Sequence, residues 1–232
     1  MVSLEQDAMK RAAALRAVEE IEDGMVVGLG SGSTAEFAVE ALAARVATGL
    51  RIVGIPTSEN TAGLAHRLGI TLTDFAQHRR IDVTIDGADQ IERGTLNLVK
   101  GLGGALLHEK IVASASNRLI IVADETKLVD WLGRKTKLPV EIVAFGYETV
   151  LDRLAAGGFE PTLRLDGGTP FITDSGHYIA DCGIAVIPDP SGLEMQLGRM
   201  VGVVESGLFI GLAHQAFIGR PGGVDVLESE RR

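Results

Sequence analysis

The sequence has a single cysteine, few aromatic residues and no long apolar run. Cys182 cannot form an internal disulfide, and no C-x-x-C pair or His/Cys cluster has the spacing of metal ligands. We therefore predict a reducing, cytoplasmic location and no bound metal. No run of apolar residues is long enough to cross a membrane, and charged residues interrupt the first twenty positions, which argues against a signal peptide.

Basic charge is also scarce. The chain has 22 Lys and Arg against 31 Asp and Glu, for a net charge of −9. Because no local basic patch offsets this balance, neither nucleic acid nor an anionic membrane is an expected partner. The 232 residues are 46% hydrophobic and 23% charged, which predicts an ordinary globular protein with one large domain and room for a small second one.

Apolar periodicity predicts alternating strands and helices over the first 130 or so residues. Helices are predicted over 7–21, 34–46, 61–68 and 105–115, and strands over 25–29, 51–56, 81–85 and 119–123. Such alternation requires crossover connections, so we predict an α/β fold, a Rossmann-like parallel sheet with helices on both faces.

The pattern changes after Leu132. Here the sequence predicts strands over 138–144 and 163–165, a hairpin through 174–176, and helices over 147–156 and 193–201. We interpret this part as a smaller α+β, ferredoxin-like domain over residues 133–206. Segments 207–213 and 216–218 are expected to return as strands to the main sheet, so residues 1–132 and 207–232 form the predicted Rossmann-like catalytic domain.

Glycines 28, 30 and 32 lie where the first predicted strand passes into a helix. Backbone N–H groups and the helix dipole converge at such a turn, which favours phosphate. A dinucleotide fingerprint would need Gly at position 33, where this chain has Ser33, and the Lys of a nucleotide P-loop is absent. The loop therefore favours a small phosphate ester, and simple helix capping by Ser33 is the alternative.

Two further strand ends carry polar residues. Asp86 and Asp89 follow a buried strand, where two carboxylates need partners or a chemical role; a plain Asp-Gly turn is the alternative. Thr57 and Ser58 end the preceding predicted strand, either as hydroxyl donors to a ligand or as a helix cap.

The segment KGLGGALLHEK, residues 100–110, places a cation before a glycine-rich turn and an acid after it. If the helix begins near Ala105, Glu109 lies one turn in and can face the loop. Lys110, the next residue, is turned about 100° away around the helix. A solvated helix acid is the alternative for Glu109, and an exposed turn lysine is the alternative to substrate binding for Lys127.

Taken in order, segments 28–37, 56–65, 82–92, 98–115, 122–129 and 138–146 resemble ribose-5-phosphate isomerase of type A. The resemblance implies interconversion of D-ribose 5-phosphate and D-ribulose 5-phosphate through an enediolate, in the non-oxidative pentose phosphate pathway. It also implies that no metal or organic cofactor is used and that the chain forms a homo-oligomer, a dimer or a tetramer.

Carried over by position, the resemblance implies that Glu109 moves the proton between C2 and C1, that Lys100 stabilises the enediolate oxygen and that Asp86 assists opening of the furanose ring. The implied substrate-binding residues are Ser31, Gly32, Ser33, Thr34, Asp86, Gly87, Ala88, Asp89, Lys100, Gly101, Leu102, Gly103 and Lys127. Two positions depart from the family pattern. Ser31 replaces a common Thr, and Leu102 interrupts a usual glycine run, where a positive φ would strain it.

Three other functions fit these residues less well. An aminosugar-phosphate deaminase or coenzyme A transferase of similar fold would not carry the DGAD and KGLGGALLHEK segments in series. The effector domain of a sugar-responsive transcription regulator would need a helix-turn-helix unit, for which about 24 residues ahead of the first predicted strand are too few. A dinucleotide oxidoreductase is disfavoured by Ser33.

Overall fold

The computed structural model describes residues 4–134 and 136–229. Its α-helices are α1 (Leu4–Ala17), α2 (Ser33–Ala47), α3 (Glu59–Arg67), α4 (Leu106–Ser114), α5 (Tyr147–Ala156) and α6 (Pro190–Gly198). Its strands are β1 (Val26–Leu29), β2 (Val53–Pro56), β3 (Ile81–Asp86), β4 (Gln90–Glu92), β5 (Leu98–Val99), β6 (Ser116–Asp124), β7 (Leu128–Val129), β8 (Leu138–Ile142), β9 (Pro161–Leu163), β10 (Leu165–Asp166), β11 (Thr169–Pro170), β12 (Tyr178–Cys182), β13 (Val203–Ser206), β14 (Leu208–Phe209), β15 (Gln215–Arg220) and β16 (Gly223–Glu228).

The central sheet has the strand order β16-β15-β6-β3-β1-β2. Neighbouring strands from β2 to β15 pair in parallel, and β16 adds an antiparallel edge. Numbered along the chain, the parallel strands run 2-1-3-4-5, a doubly wound order that differs from the 3-2-1-4-5-6 order of dinucleotide-binding sheets. The predicted parallel sheet is confirmed.

Both faces of this sheet are buried, as the side chains of β6 show. Ile120 and Val122 pack into the apolar cluster formed with α1, α2 and α3, whereas Leu119, Ile121 and Ala123 pack into a cluster on the opposite face. Because side chains alternate across a strand, a strand that is covered on both sides must be apolar throughout. This explains why β6 appears in the sequence as a continuous hydrophobic run.

The second sheet is antiparallel, with strand order β13-β8-β12-β9. Helix α5 connects β8 to β9 and α6 connects β12 to β13, so the chain runs βαββαβ with spatial order 4-1-3-2. This is the ferredoxin-like arrangement, as the sequence predicted. Helix α5 coincides with its predicted bounds, and α6 begins three residues earlier than predicted because Asp189 caps Gly192 N–H at 2.9 Å.

A third, small sheet corrects one prediction. Segment 207–213 does not return to the main sheet, because β14 pairs with β5 in the order β14-β5-β4-β7. Gly207 permits this close approach, since a Cβ there would lie 2.2 Å from the carbonyl oxygen of Lys100. The prediction for 216–218 is confirmed, because these residues lie within β15 of the main sheet.

The predicted hairpin at 174–176 is also wrong. The hairpin of this region is β10–β11, which reverses at Gly167 and Gly168, both with positive φ. Residues 174–176 form a turn closed by the bond from Gly176 N–H to Thr173 O, and β11 and β12 on its two sides pair with different strands. Turn residues alone do not reveal which strands will pair.

None of the helices within the described ranges is long and apolar enough to span a membrane.

Candidate active site

The candidate site lies at β1, where the order in which strands are added to the parallel sheet reverses. Strand β2 lies on one side of β1 and β3 on the other, so their connections separate and leave a crevice at the carboxyl ends of the strands. Gly30 N–H donates to the carbonyl of Ile85 at 2.9 Å, which holds the loops after β1 and β3 together. A Cβ at Gly30 would lie 2.5 Å from Cα of Asp86, so this contact requires glycine.

Three buried charged side chains form the centre of the site. Nζ of Lys100 lies 3.0 Å from Oδ2 of Asp86 and 3.2 Å from Oε1 of Glu109. It also donates to the carbonyl of Gly87. The three residues are at most 5% exposed. Strand β3, the turn after β5 and the first turn of α4 thus bring together one cation and two acids.

Burial dominates the electrostatics of this cluster. It raises the pKa of Glu109 to about 8, against the lowering effect of Lys100 and with a further increase from Asp86. Burial likewise raises the pKa of Asp86, although Lys100 and the N–H groups of Gly87 and Ser31 oppose it. For Lys100, burial would lower the pKa, but the two carboxylates outweigh it and raise the pKa above its usual value. A lysine that stays charged beside a weakened acid can hold an oxyanion while the acid exchanges a proton.

Glu109 has one oxygen in contact with Lys100 and one that is open to a reaction. Its Oε2 is buried and accepts no hydrogen bond from any residue in the described ranges. Such an orphaned acceptor is costly in a merely structural role. Oδ2 of Asp86 also accepts no hydrogen bond in the described ranges, but it lies 3.0 Å from Nζ of Lys100, and Oδ1 accepts from Gly87 N–H at 2.7 Å and Ser31 N–H at 3.1 Å.

A cavity of about 270 Å³ opens above this cluster. It is lined by Ser31, Gly32, Glu36, Ser58, Asn60, Gly87, Ala88, Asp89, Lys100, Gly101, Gly103, Gly104, Ala105, Glu109, Phe171 and Asp174. Most of the predicted site residues are therefore brought together here. Asp86 lies beneath the cavity, bonded to Lys100, whereas Ser33, Thr34, Leu102 and Lys127 lie outside its lining.

Four hydroxyl groups cluster beside the cavity, and two of them belong to the lining residues Ser31 and Ser58. The hydroxyl of Ser31 lies 2.7 Å from that of Thr57, 2.8 Å from that of Ser58 and 3.1 Å from that of Thr61. Ser58 also caps α3 by accepting from Thr61 N–H at 3.1 Å. The helix-cap interpretation of Ser58 is confirmed, and because Ser58 also lines the cavity its role as a donor to a ligand stays a prediction; Thr57 is fully buried.

Sequence reasoning missed Lys10 of α1. Its Nζ donates to the hydroxyl of Ser33 at 3.1 Å, at the N-terminus of α2. A lone lysine in a helix of mixed charge gives no signal of this kind. Gln6 of the same helix donates to Asp124 at 3.1 Å, and the pKa of Asp124 lies below its usual value because hydrogen bonds from Thr126 and Gln6 outweigh burial. Helix α1 thus contacts the N-terminus of α2 and the carboxyl end of β6.

Phe171 and Asp174 were also missed, and both line the cavity from the far side. A Cβ at Gly104 would lie 2.5 Å from the ring of Phe171, so the ring rests directly on the glycine turn. Oδ2 of Asp174 accepts from Glu59 N–H at the start of α3 at 2.9 Å. These residues are more than sixty positions from the glycine turn in sequence, and only the tertiary fold reveals them.

The expected strain at Leu102 is absent. The non-glycine residues with positive φ in the described ranges are Leu96 and Glu160. The turn after Lys100 places its positive φ angles at Gly101 (102°) and Gly104 (87°), so Leu102 keeps an ordinary conformation with its side chain 46% exposed. The departure at this position therefore leaves the turn intact.

The fold and the buried cluster define a class, an α/β protein with one lysine between two carboxylates at the carboxyl edge of a doubly wound sheet. The family model described as ribose 5-phosphate isomerase A (phosphoriboisomerase A) matches residues 53–223. Ribose-5-phosphate isomerase A of Gloeobacter violaceus is 54% identical over 97% of each chain. The protein of the same name from Gluconobacter oxydans is 48% identical, over 97% of this chain and 98% of its own.

Solved structures give the same result. Ribose 5-phosphate isomerase from Plasmodium falciparum superposes with a TM-score of 0.93 at 38% identity, over 97% of this chain and 100% of that one. A D-ribose-5-phosphate isomerase in complex with phospho-erythronic acid has a TM-score of 0.93 at 36% identity, with the same coverage. The chain belongs to the ribose 5-phosphate isomerase A family and is an isomerase. The alternative functions considered from the sequence are not favoured.

Proposed function

We propose that the chain interconverts D-ribose 5-phosphate and D-ribulose 5-phosphate by proton transfer, with Glu109 as the base. The observation that carries this proposal is the buried cluster of Lys100 between Asp86 and Glu109, with contacts of 3.0 and 3.2 Å. Glu109 combines a free buried oxygen with a pKa raised to about 8, so it can take and return a proton near neutral pH.

The reaction then proceeds without loss or gain of atoms. In the open-chain aldose, Glu109 removes the proton from C2, and the electron pair moves to the carbonyl oxygen on C1. Lys100 stabilises the negative charge on that oxygen. The hydroxyl proton passes from O2 to O1, the C–O bond at C2 becomes the new carbonyl, and protonated Glu109 delivers its proton to C1.

Asp86 serves the earlier step, opening of the furanose ring. Its side chain is shorter than that of Glu109, and its Oδ1 is held by two backbone N–H groups. This fixed carboxyl suits the transfer of a proton between the anomeric hydroxyl and the ring oxygen. Asp89 lines the cavity beside it, and beyond its bond from Leu102 N–H it can accept from sugar hydroxyls.

The phosphate group binds at the N-terminus of α2 in this proposal. Gly32 precedes α2 with φ of 90° and supplies no side-chain cap, so the first N–H groups of the helix remain available to an anion. Lys10 adds a positive charge there through its contact with Ser33, and Thr34 lies on the same turn. Lys127 interacts electrostatically with Asp124, on the side of the site bordered by α1.

The test is formation of ribulose 5-phosphate from ribose 5-phosphate by the purified chain, together with exchange of the C2 hydrogen in deuterated water. No nicotinamide or other organic cofactor is added. Turnover with exchange supports the proposal. Failure of the purified, folded protein to do either would overturn it. Binding of phospho-erythronic acid, present in one structural relative, gives an independent check because its planar carboxylate resembles an enediolate.

We further propose a cytoplasmic homo-oligomer, a dimer or a tetramer, with its sugar phosphate as the small-molecule partner. The single buried cysteine supports a reducing compartment. We also propose that residues 1–132 and 207–232 form one domain and 133–206 another. The ferredoxin-like sheet supports that division, since β8, β9, β12 and β13 all lie within 133–206. Sedimentation and limited proteolysis test these two proposals.

A further inference from the structure

Arg164 connects the ferredoxin-like sheet to the glycine turn beside Lys100. It lies between β9 and β10, and its Nη1 donates to two successive carbonyl oxygens, those of Gly101 at 3.1 Å and Leu102 at 3.0 Å. One guanidinium nitrogen therefore fixes the direction of two neighbouring peptide units.

The rest of the guanidinium is held by Asp181 of β12. Nε donates to Oδ2 of Asp181 at 2.9 Å and Nη2 to Oδ1 at 2.5 Å, and both side chains are largely buried. Such a two-point contact fixes the plane of the guanidinium as well as its position. Arg164 is thus a rigid support, because its carboxylate partner and its carbonyl partners use different nitrogens.

The geometry of the peptide bond determines what this support does on the other side of the turn. In a trans peptide the C=O and the following N–H point in opposite directions. Holding the carbonyl of Gly101 directs Leu102 N–H away from Arg164, and this N–H donates to Oδ2 of Asp89 at 3.0 Å. Holding the carbonyl of Leu102 likewise directs Gly103 N–H away from Arg164.

Gly103 lines the cavity, and its N–H has no acceptor within the described ranges. The charge of Arg164 on the carbonyl side polarises the same peptide unit, which makes Gly103 N–H a stronger donor. The backbone carbonyl of Arg164 also accepts a hydrogen bond from Phe171 N–H at 2.9 Å. Phe171, whose ring covers the glycine turn, is therefore held by Arg164 as well.

We propose that Arg164 is a positioning residue that orients the 101–103 backbone so that Asp89 is held in place and Gly103 N–H donates to an oxygen of the bound sugar phosphate. This inference rests on the proposed isomerase function. Lysine cannot replace arginine here, because a single ammonium cannot contact Asp181 at two points and both carbonyls at once. A displacement of about 1 Å in such a turn is enough to cost up to about 10²-fold in rate.

The experiment compares R164K and R164A with the wild type. R153A serves as the matched control, because Arg153 also donates to a carbonyl, that of Val201, but is exposed and outside the cavity lining. Measurements are kcat, KM, the Kd for phospho-erythronic acid by calorimetry, and the unfolding midpoint. We expect kcat to fall about 10-fold in R164K and about 10²-fold in R164A, and inhibitor affinity to weaken in both, while R153A matches the wild type.

Two results would overturn the inference. Wild-type kcat and Kd per folded molecule in both Arg164 variants would show that Arg164 stabilises the fold alone. A loss of equal size in R153A would show a general effect of removing an arginine that donates to a backbone carbonyl. Failure of the proposed function is a different result, since the wild type itself would then lack isomerase activity.

Discussion

Replacement of Glu109 by glutamine tests the proposed base most directly. E109Q keeps the shape of the side chain but removes the basic oxygen, while Lys100 keeps its 3.0 Å contact with Asp86. General-base catalysis contributes about 10²- to 10⁴-fold. We therefore expect kcat to fall at least about 10²-fold, while the Kd for phospho-erythronic acid changes by less than about 10-fold.

The pKa of Glu109 also predicts the pH dependence of the wild-type enzyme. With a pKa of about 8, roughly a tenth of the free enzyme has an ionised Glu109 at pH 7. Only the ionised form can act as a base, so kcat/KM should rise about tenfold per pH unit below pH 8 and level off above it. The kcat/KM of E109Q should not show this rise below pH 8.

The free energy of unfolding should change with pH in the opposite direction to kcat/KM, falling as the pH rises. The pKa of Glu109 rises from 4.5 to about 8 on folding, so the folded protein binds more protons than the unfolded chain between these values. The contribution of Glu109 to stability is therefore favourable below about pH 4.5 and is lost as the pH rises through about 8, by up to about 5 kcal/mol. The free energy of unfolding of E109Q relative to wild type should accordingly increase between pH 5 and pH 9.

The assays are steady-state kinetics, exchange of the C2 hydrogen with deuterium, and urea unfolding at the two pH values. E148Q is the control, since Glu148 is an exposed residue at the start of α5. If E109Q exchanges and turns over near the wild-type rate while D86N does not, the base is an aspartate. A pH-independent kcat/KM between pH 6 and pH 9 would refute the role assigned to the raised pKa.

Four further outcomes are expected. EDTA should leave activity unchanged, and loss restored by Mg²⁺ or Mn²⁺ would contradict this. T34A and K127A should raise KM more than they lower kcat, and an unchanged KM in both would remove these residues from the site. L102G should destabilise the fold by about 0.5–1 kcal/mol in urea unfolding, because glycine increases the conformational entropy of the unfolded chain and Leu102 has no strain to relieve. Stabilisation by this substitution would instead indicate strain at Leu102. G30A should reduce kcat strongly by displacing Asp86, 2.5 Å from the added Cβ, and wild-type kcat would show that the loop adjusts freely.

Much of the fold was predictable because long elements carry strong periodicity. Helix α5 matches its predicted bounds, and the main parallel strands were all anticipated. Several of the missed strands are short. Strands β4, β5 and β7 have two or three residues each, too few to show a periodic pattern, and their sheet depends on pairings between distant segments.

The site was predictable where local sequence carries the chemistry. Lys100 and Glu109 flank one glycine turn, and Asp86 ends a strand, so each gave a local signal. Arg164 and Phe171 contact the same turn and Asp174 lines the same cavity, and nothing near them in sequence indicates it. Local pattern therefore indicates the groups that we propose as reactive, whereas the groups that support and cover them follow from tertiary packing.

The ferredoxin-like sheet also affects the chemistry of Glu109, the acid at the centre of the site. Burial is the largest cause of the raised pKa of Glu109, and α4, which carries it, packs against β8 and β13 of the ferredoxin-like sheet as well as against β3 and β6. Phe171 adds cover over the turn that precedes this helix. The second sheet thus keeps water from a carboxylate that the first sheet positions. A Glu109 exposed to water would return towards its ordinary pKa and become a weaker base, so both sheets contribute to the acid–base chemistry.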